Sequence, residues 1–347
     1  MPERSVDLRS DTITLPTAEM REAMASAAVG DDVYGEDPTV NRLQEMAAAR
    51  VGMEAALFVA SGTMGNTCAL LAHTRCGDEV LFESLAHMYV FEGANYAAVA
   101  GLGVRTLDSE YGAVKPEDLT AAMRPLDIHF PPTRLLCVEN THNNHGGAVL
   151  RPQELAALTE AARSHELRVH MDGARLFNAA VAAQVDVREY ARQVDSVMFC
   201  LSKGLSAPVG SLLCGSRTFI ERARRMRKRL GGAMRQAGIL AAAGIVALER
   251  MVDRLRVDHE HAARLAEGLA GIEGLHVHMP PLPSNMVNVN VSDRGWVSRD
   301  LIERWRPLGI LCNPRPPSSV RLVTHRHISA GDVDYVIGVT RDLAAAD

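Results

Sequence analysis

An apolar run, SVMFCLS (196–202), delivers Lys203 and Gly204 at its carboxyl end. Strand ends in open α/β sheets face the crevice where ligands bind, and an amine partly desolvated there becomes nucleophilic enough to form a Schiff base. A lysine after a strand is also an ordinary solvated loop residue, so Lys203 alone decides nothing. A second apolar run, LRVHMD (167–172), delivers Asp172 in the same way. A buried aspartate there would keep the ring nitrogen of pyridoxal phosphate (PLP) protonated, the condition under which that cofactor is an electron sink; it could equally cap the following turn. Third, ASGTMGN (60–66) follows the run AALFV. Its small residues at a helix start present free N–H groups, so that Gly62 and the Thr63 hydroxyl could hold a phosphate. The segment is neither a P-loop nor a dinucleotide fingerprint, and Gly101-Leu102-Gly103 lacks the third glycine.

Other chemically able residues are less pointed. His87, in ESLAHMYVFE, follows a strand and could lie flat against a planar cofactor, or simply start a helix. His129, in DIHFPPT, precedes its strand and is at the wrong end for a crevice of its own sheet, so it matters only if its loop reaches a site, including a neighbour's. The block ENTHNNHGG (139–147) holds His142 and His145, but no recurrent His or Cys spacing defines a coordination sphere, and no metal is expected. The basic run ERARRMRKRLGGAMRQ (221–236) lacks interleaved aromatics, which argues for a solvated helix face or an anion site at a subunit boundary rather than nucleic acid. Arg321 stands inside the apolar strand VRLVTH, where a guanidinium needs an anion and a substrate carboxylate suits its fork.

These residues need a scaffold, and the chain reads as α/β. Short apolar strands at 55–60, 79–83, 103–107, 134–140, 167–172, 196–202 and 210–215 alternate with helical stretches such as 152–166. Their nearly continuous apolar character predicts strands buried on both faces of a mainly parallel sheet. Long helices follow over 221–270, then strand, helix, strand and helix to the end. The resulting division is an arm over 1–18, a large domain over 19–246 and a smaller α+β domain over 247–347. At 347 residues, 47% hydrophobic and 23% charged, the chain buries a real core, and a net charge of −5 gives no global pull toward nucleic acid or anionic membrane. No apolar run approaches the roughly 20 residues of a membrane span, and the charged amino terminus lacks a signal-peptide core. The expectation is a cytoplasmic protein with its six separated cysteines reduced.

With VDLRSDTIT, VGDDVYGEDPTVNRLQ, ASGTMGN, ESLAHMYVFEG, DIHF, ENTHN, HMDGARLFNA, CLSKGLSAPVGSLL, GGAMRQAGILAAAG and VRLVTH in order along nearly the whole length, the chain resembles the low-specificity L-threonine aldolases of PLP fold-type I. The resemblance implies an aspartate-aminotransferase-like large domain and cleavage of β-hydroxy-α-amino acids to glycine and an aldehyde. It implies that Lys203 carries PLP, that Asp172 pairs with the ring nitrogen, that Gly62 and Thr63 bind the phosphate and that His87 stacks on the ring. Ser10, Tyr34, Arg175 and Arg321 would contact substrate, with Arg175 also near the cofactor, while His87 and His129 approach the β-hydroxyl. Tyr34, Lys228 and Arg235 would lie at a dimer interface, Arg235 reaching the neighbour's phosphate, in a homotetramer built as a dimer of dimers. His145 and the spellings ASGTMGN and GGAMRQ depart from the usual pattern and bear on substrate preference. β-Elimination from another amino acid, or a non-catalytic PLP-binding regulator, are the alternatives.

Overall fold

A computed structural model describes residues 4–125 and 127–346; the first three residues of the expected arm, Leu126 and Asp347 lie outside the described residues. Strand β1 (Val6–Asp7) opens the chain, and the main sheet is built from β2 (Ala55–Val59), β3 (Glu79–Glu83), β4 (Gly103–Leu107), β5 (Thr133–Glu139), β6 (Arg168–Asp172), β7 (Ser196–Cys200) and β8 (Ser211–Gly215). Its order is β2-β8-β7-β6-β5-β3-β4. Only β8 runs against the rest, antiparallel to both β7 and β2. The short segment between β7 and β8 explains this, because a parallel return needs a crossover of a dozen or more residues.

The expectation that every strand is buried on both faces holds for the centre and fails at β4. That strand is the sheet edge, with Gly103 and Thr106 exposed, and its Arg105 reaches Glu79 at 3.7 Å. GVRTL is not continuously apolar, and the edge tolerates it. Helices cover both faces and begin where local chemistry starts them. Asp37 caps Pro38–Val51 through the N–H groups of Thr39 and Val40, and Ser61 caps Gly62–His73 through that of Met64. A Cβ at Gly62 would sit 3.0 Å from Cys200 Sγ, so a glycine lets that helix start close against β7.

The tail forms a second sheet, β12-β13-β10-β9, from β9 (His276–His278), β10 (Met286–Asn290), β12 (Asn313–Arg315) and β13 (Ser319–Val323). A separate pair joins β1 to β11 (Ile310–Leu311) in parallel. A core distinct from that of the main sheet gathers Leu265, Val289, Trp305, Leu322 and Val336, and it takes in Val6 and Leu8 from the other end of the chain. All six cysteines are free and only Cys76 is exposed. Among the described residues no helix is long and apolar enough to cross a membrane.

Candidate active site

The carboxyl ends of the parallel strands converge on one cavity of about 390 Å³, whose walls include Ser10, His87, Arg175, Lys203, Arg315 and Arg321. A cleft of similar size, about 410 Å³, lies at the opposite ends of the strands around Gly52, Arg168 and Ser216. Ligands of open α/β sheets bind at the carboxyl edge, and only the first cavity gathers an amine with several guanidinium groups.

Each strand supplies its last residues. After β7, Lys203 is fixed by its own carbonyl, which accepts hydrogen bonds from Thr14 Oγ1 and the Ser206 N–H, both at 2.8 Å. At the end of β6, Asp172 is buried; its Oδ1 accepts from the Ala174 N–H at 3.0 Å and its Oδ2 from Asn66 Nδ2 at 3.0 Å. The turn-capping reading of Asp172 therefore holds, and the same buried carboxylate ends the strand next to the one that leads to Lys203. Burial, with Glu139 adding to it, pushes the Asp172 pKa up, against the pull of His87 and Lys203.

A directed row of donors backs Asp172. Asn66 spends its amide hydrogens on Asp172 and on Glu92, so its carbonyl must accept from His170 Nε2 at 3.1 Å. His170 Nδ1 then accepts from Ser196 Oγ at 2.8 Å, and Ser196 Oγ accepts from His73 Nε2 at 2.7 Å. Each donor points toward the carboxylate, which favours its ionised form. Both imidazoles are kept neutral, burial depressing each pKa to about 3.

His87 follows β3. Its N–H donates to Glu139 Oε2 at 2.6 Å and its Nδ1 lies 3.1 Å from Glu92 Oε1. Burial lowers the His87 pKa, but the Glu92 hydrogen bond and the charges of Asp172 and Glu139 outweigh it, and the net direction is upward.

The two expected substrate arginines differ. Arg175 is clamped by Asp11, Nε to Oδ2 at 2.8 Å and Nη2 to Oδ1 at 2.7 Å, with both side chains almost wholly buried. Burial works against the Asp11 charge, yet Arg175 wins and takes its pKa to about 2. Arg321, on β13, donates to Asn143 Oδ1 at 2.6 Å and to the Arg9 carbonyl at 3.3 Å; its Nε is buried without a partner. Burial and then its neighbours Arg175 and Arg315 push the Arg321 pKa down to about 10. Among the described residues no carboxylate pairs with Arg321 or Arg315, so this wall of the cavity is short of an anion.

Residues 7–292 match the Beta-eliminating lyase family. The chain belongs to that family. Over 97% of its length it is 43% identical to low-specificity L-threonine aldolase 1 of Arabidopsis thaliana, covering 96% of that protein. It is 46% identical to the low specificity L-threonine aldolase of Escherichia coli K12, over 93% of this chain and 95% of that one. In fold it is similar to a threonine aldolase of Leishmania major, with a TM-score of 0.84 at 19% identity over 97% and 99% of the two chains. It is also similar to serine palmitoyltransferase of Sphingomonas wittichii, with a TM-score of 0.80 at 16% identity over 99% and 88%. The lyase thus has the PLP fold-type I architecture and uses PLP.

The residues present fit that cofactor. Lys203 and Asp172 stand at adjacent strand ends, and the helix Gly62–His73 starts beside them, its first-turn N–H groups at Gly62 and Thr63 without intrahelical acceptors. Of the residues singled out by sequence, Ser10, His87, Arg175, Lys203 and Arg321 share the cavity wall. Tyr34, His129 and Arg235 do not: they are exposed, and Arg235 pairs with Asp31 at 3.0 Å. The basic run is not uniformly solvated, because Arg227 within it is buried against Asp32 at 2.6 Å. Sequence reasoning missed Asp11, Asn66, Glu92, Asn143 and Arg315. Arg315 joins the face of Arg321 only through the fold: β12 and β13 pair Asn313 with Arg321, and Arg315, two residues on, shares that face.

Proposed function

We propose that this lyase cleaves the Cα–Cβ bond of L-threonine, L-allo-threonine and related β-hydroxy-α-amino acids, releasing glycine and an aldehyde. The observation that carries the reading is the buried Arg321, unpaired with any carboxylate of the described residues, lining the same cavity as Lys203. A cavity with an amine and a surplus of guanidinium charge, with the buried Asp172 at the adjacent strand end, suits an α-amino acid bound to PLP. When bound, PLP supplies the electron sink that makes a carbon–carbon bond next to the amine breakable.

The chain's own groups supply position and proton transfer. Lys203 would hold the cofactor, Asp172 would pair with its ring nitrogen, and Gly62 and Thr63 would take the phosphate. Arg321, with Ser10, Arg175 and Arg315 on the same cavity, would anchor and orient the substrate carboxylate. His87 would stack on the cofactor. With its Nδ1–H donated to Glu92, Nε2 is the atom that accepts the β-hydroxyl proton, and Glu92 steadies the imidazolium that results. His129, Tyr34, Lys228 and Arg235 are proposed to serve a neighbouring subunit's site in a dimer of dimers; their exposure supports this. The division at residues 18 and 246 and a cytoplasmic location belong to the same reading.

The experiment is a visible spectrum of the purified protein, followed by addition of L-threonine with acetaldehyde and 2-oxobutanoate assayed in parallel. Acetaldehyde with glycine supports the aldolase. 2-Oxobutanoate with ammonia transfers the function to elimination, and PLP binding with no change on any amino acid points to a regulator. Lys203→Ala is expected to abolish the visible absorbance and turnover together.

A further inference from the structure

Glu83 ends β3, and His142 and His145 lie in the segment after β5, so no spacing in the sequence brings them together. In the fold they converge. His142 Nε2 lies 2.8 Å from Glu83 Oε2, His145 Nε2 lies 3.1 Å from Glu83 Oε1, and one donor atom from each residue falls within 4.8 Å of the other two. The imidazole rings pack 4.5 Å apart. Tetrahedral zinc with bonds of roughly 2.0–2.1 Å places its ligands about 3.3 Å apart, close to these separations.

Charge points the same way. His142 is flanked by two buried carboxylates, Glu83 at 2.8 Å and Glu139 at 3.8 Å. Among the described residues neither carboxylate forms an ion pair with a lysine or arginine. Buried charges are normally paired or bound to a metal, and a divalent cation would balance this pair. Two imidazoles and one carboxylate form a borderline donor set suited to zinc rather than to calcium or magnesium, with coordination left open for water.

We propose that Glu83, His142 and His145 form a zinc-type divalent cation site. None of the three lines the PLP cavity, and the inference does not depend on which amino acid is cleaved. Glu83 and His142 are buried while the His145 side chain keeps 18% exposure, so the cation enters past His145. The Ser109 hydroxyl, 2.9 Å from Glu83 Oε1 and 3.4 Å from His145 Nε2, borders the open side. The site clamps the turn after β3 to the segment after β5. Those two segments present His87 and Asn143 to the cavity, and both donate backbone N–H groups to Glu139.

The test uses untagged, PLP-loaded enzyme treated with a chelator and titrated with Co²⁺. One Co²⁺ per chain, visible bands of a four- or five-coordinate ion, displacement by Zn²⁺ and a higher Tm with Zn²⁺ are expected. His145→Ala should retain the PLP colour and bind Co²⁺ at least about tenfold more weakly; Glu83→Gln should do the same. In the wild-type protein Zn²⁺ should also shield His145 from diethyl pyrocarbonate, a readout that needs no variant. Wild-type protein without Co²⁺ bands, undiminished binding by His145→Ala, or no shielding of His145 each overturns the site.

Discussion

Arg175 and Arg321 share one wall and differ in what their guanidinium groups have left to offer. Arg175 is committed to Asp11 through both Nε and Nη2, which ties the segment around Asp11 to the cavity wall. Replacing Asp11 by Asn strips a buried charge of its partner and is expected to destabilise the protein by about 3 kcal/mol or more, measured by urea unfolding at neutral pH. The wild-type pair has its own pH signature. Asp11 titrates at about 2 when folded and near 3.8 when free. Its stabilisation, about 2 kcal/mol, is therefore complete above that ordinary value and lost as the pH falls from there toward 2. Arg321 has no such commitment. Arg321→Lys keeps the charge and loses the fork, and kcat/KM for threonine is expected to fall about tenfold or more while PLP stays bound. His87 accepts a proton only when neutral, and its pKa is raised. The acid limb of kcat/KM should accordingly lie above an ordinary imidazole's 6.5, and Glu92→Gln should move it down; an unmoved limb removes His87 as the base.

At the scale of elements, β6 shows how one strand serves both core and site. Asp172 ends it, and His170, two residues earlier on the same face, stands behind as a donor. Keeping His170 and His73 neutral has a cost in acid. Between the ordinary imidazole value and about 3 the unfolded chain binds protons that the folded chain refuses. Stability should thus fall as pH drops through that window, by about 1.4 kcal/mol per unit for each histidine. Urea midpoints compared at pH 7.5 and 5 should show the loss, and His170→Gln should flatten it. The strands of the main sheet were legible because burial on both faces demands apolar runs, and so were Lys203 and Asp172 at their ends. What escaped was long-range. Asn66 meets Asp172, and Asp11 meets Arg175, only after folding, and no periodicity announces either. β12 escaped for a local reason: Pro314, Pro316 and Pro317 read as loop, yet Asn313–Arg315 sits on an edge strand where proline is tolerated.

At the scale of the whole molecule, one chain encloses Lys203, His87 and Arg321 but leaves Tyr34, His129 and Arg235 facing outward. If these serve a second copy, each active site needs two chains. Lys203→Ala and Arg235→Ala, each impaired alone, are then expected to regain activity when refolded together, since half the sites of a mixed dimer draw both residues intact. No gain on mixing would confine the site to one chain.

The pairing of β1 with β11 also sets an order in time. Asp11 can meet Arg175 soon after that residue leaves the ribosome, but Val6 has no partner until Ile310 has been made. At about 5–20 residues per second that interval is on the order of ten seconds, during which the main sheet is completed while the apolar Val6 and Leu8 wait for the later residues of their core. Val6 and Leu8 are thus housed long after the residues that follow them. An interrupted message would leave a chain that has Lys203 but neither the strand bearing Arg321 nor a cover for its own beginning.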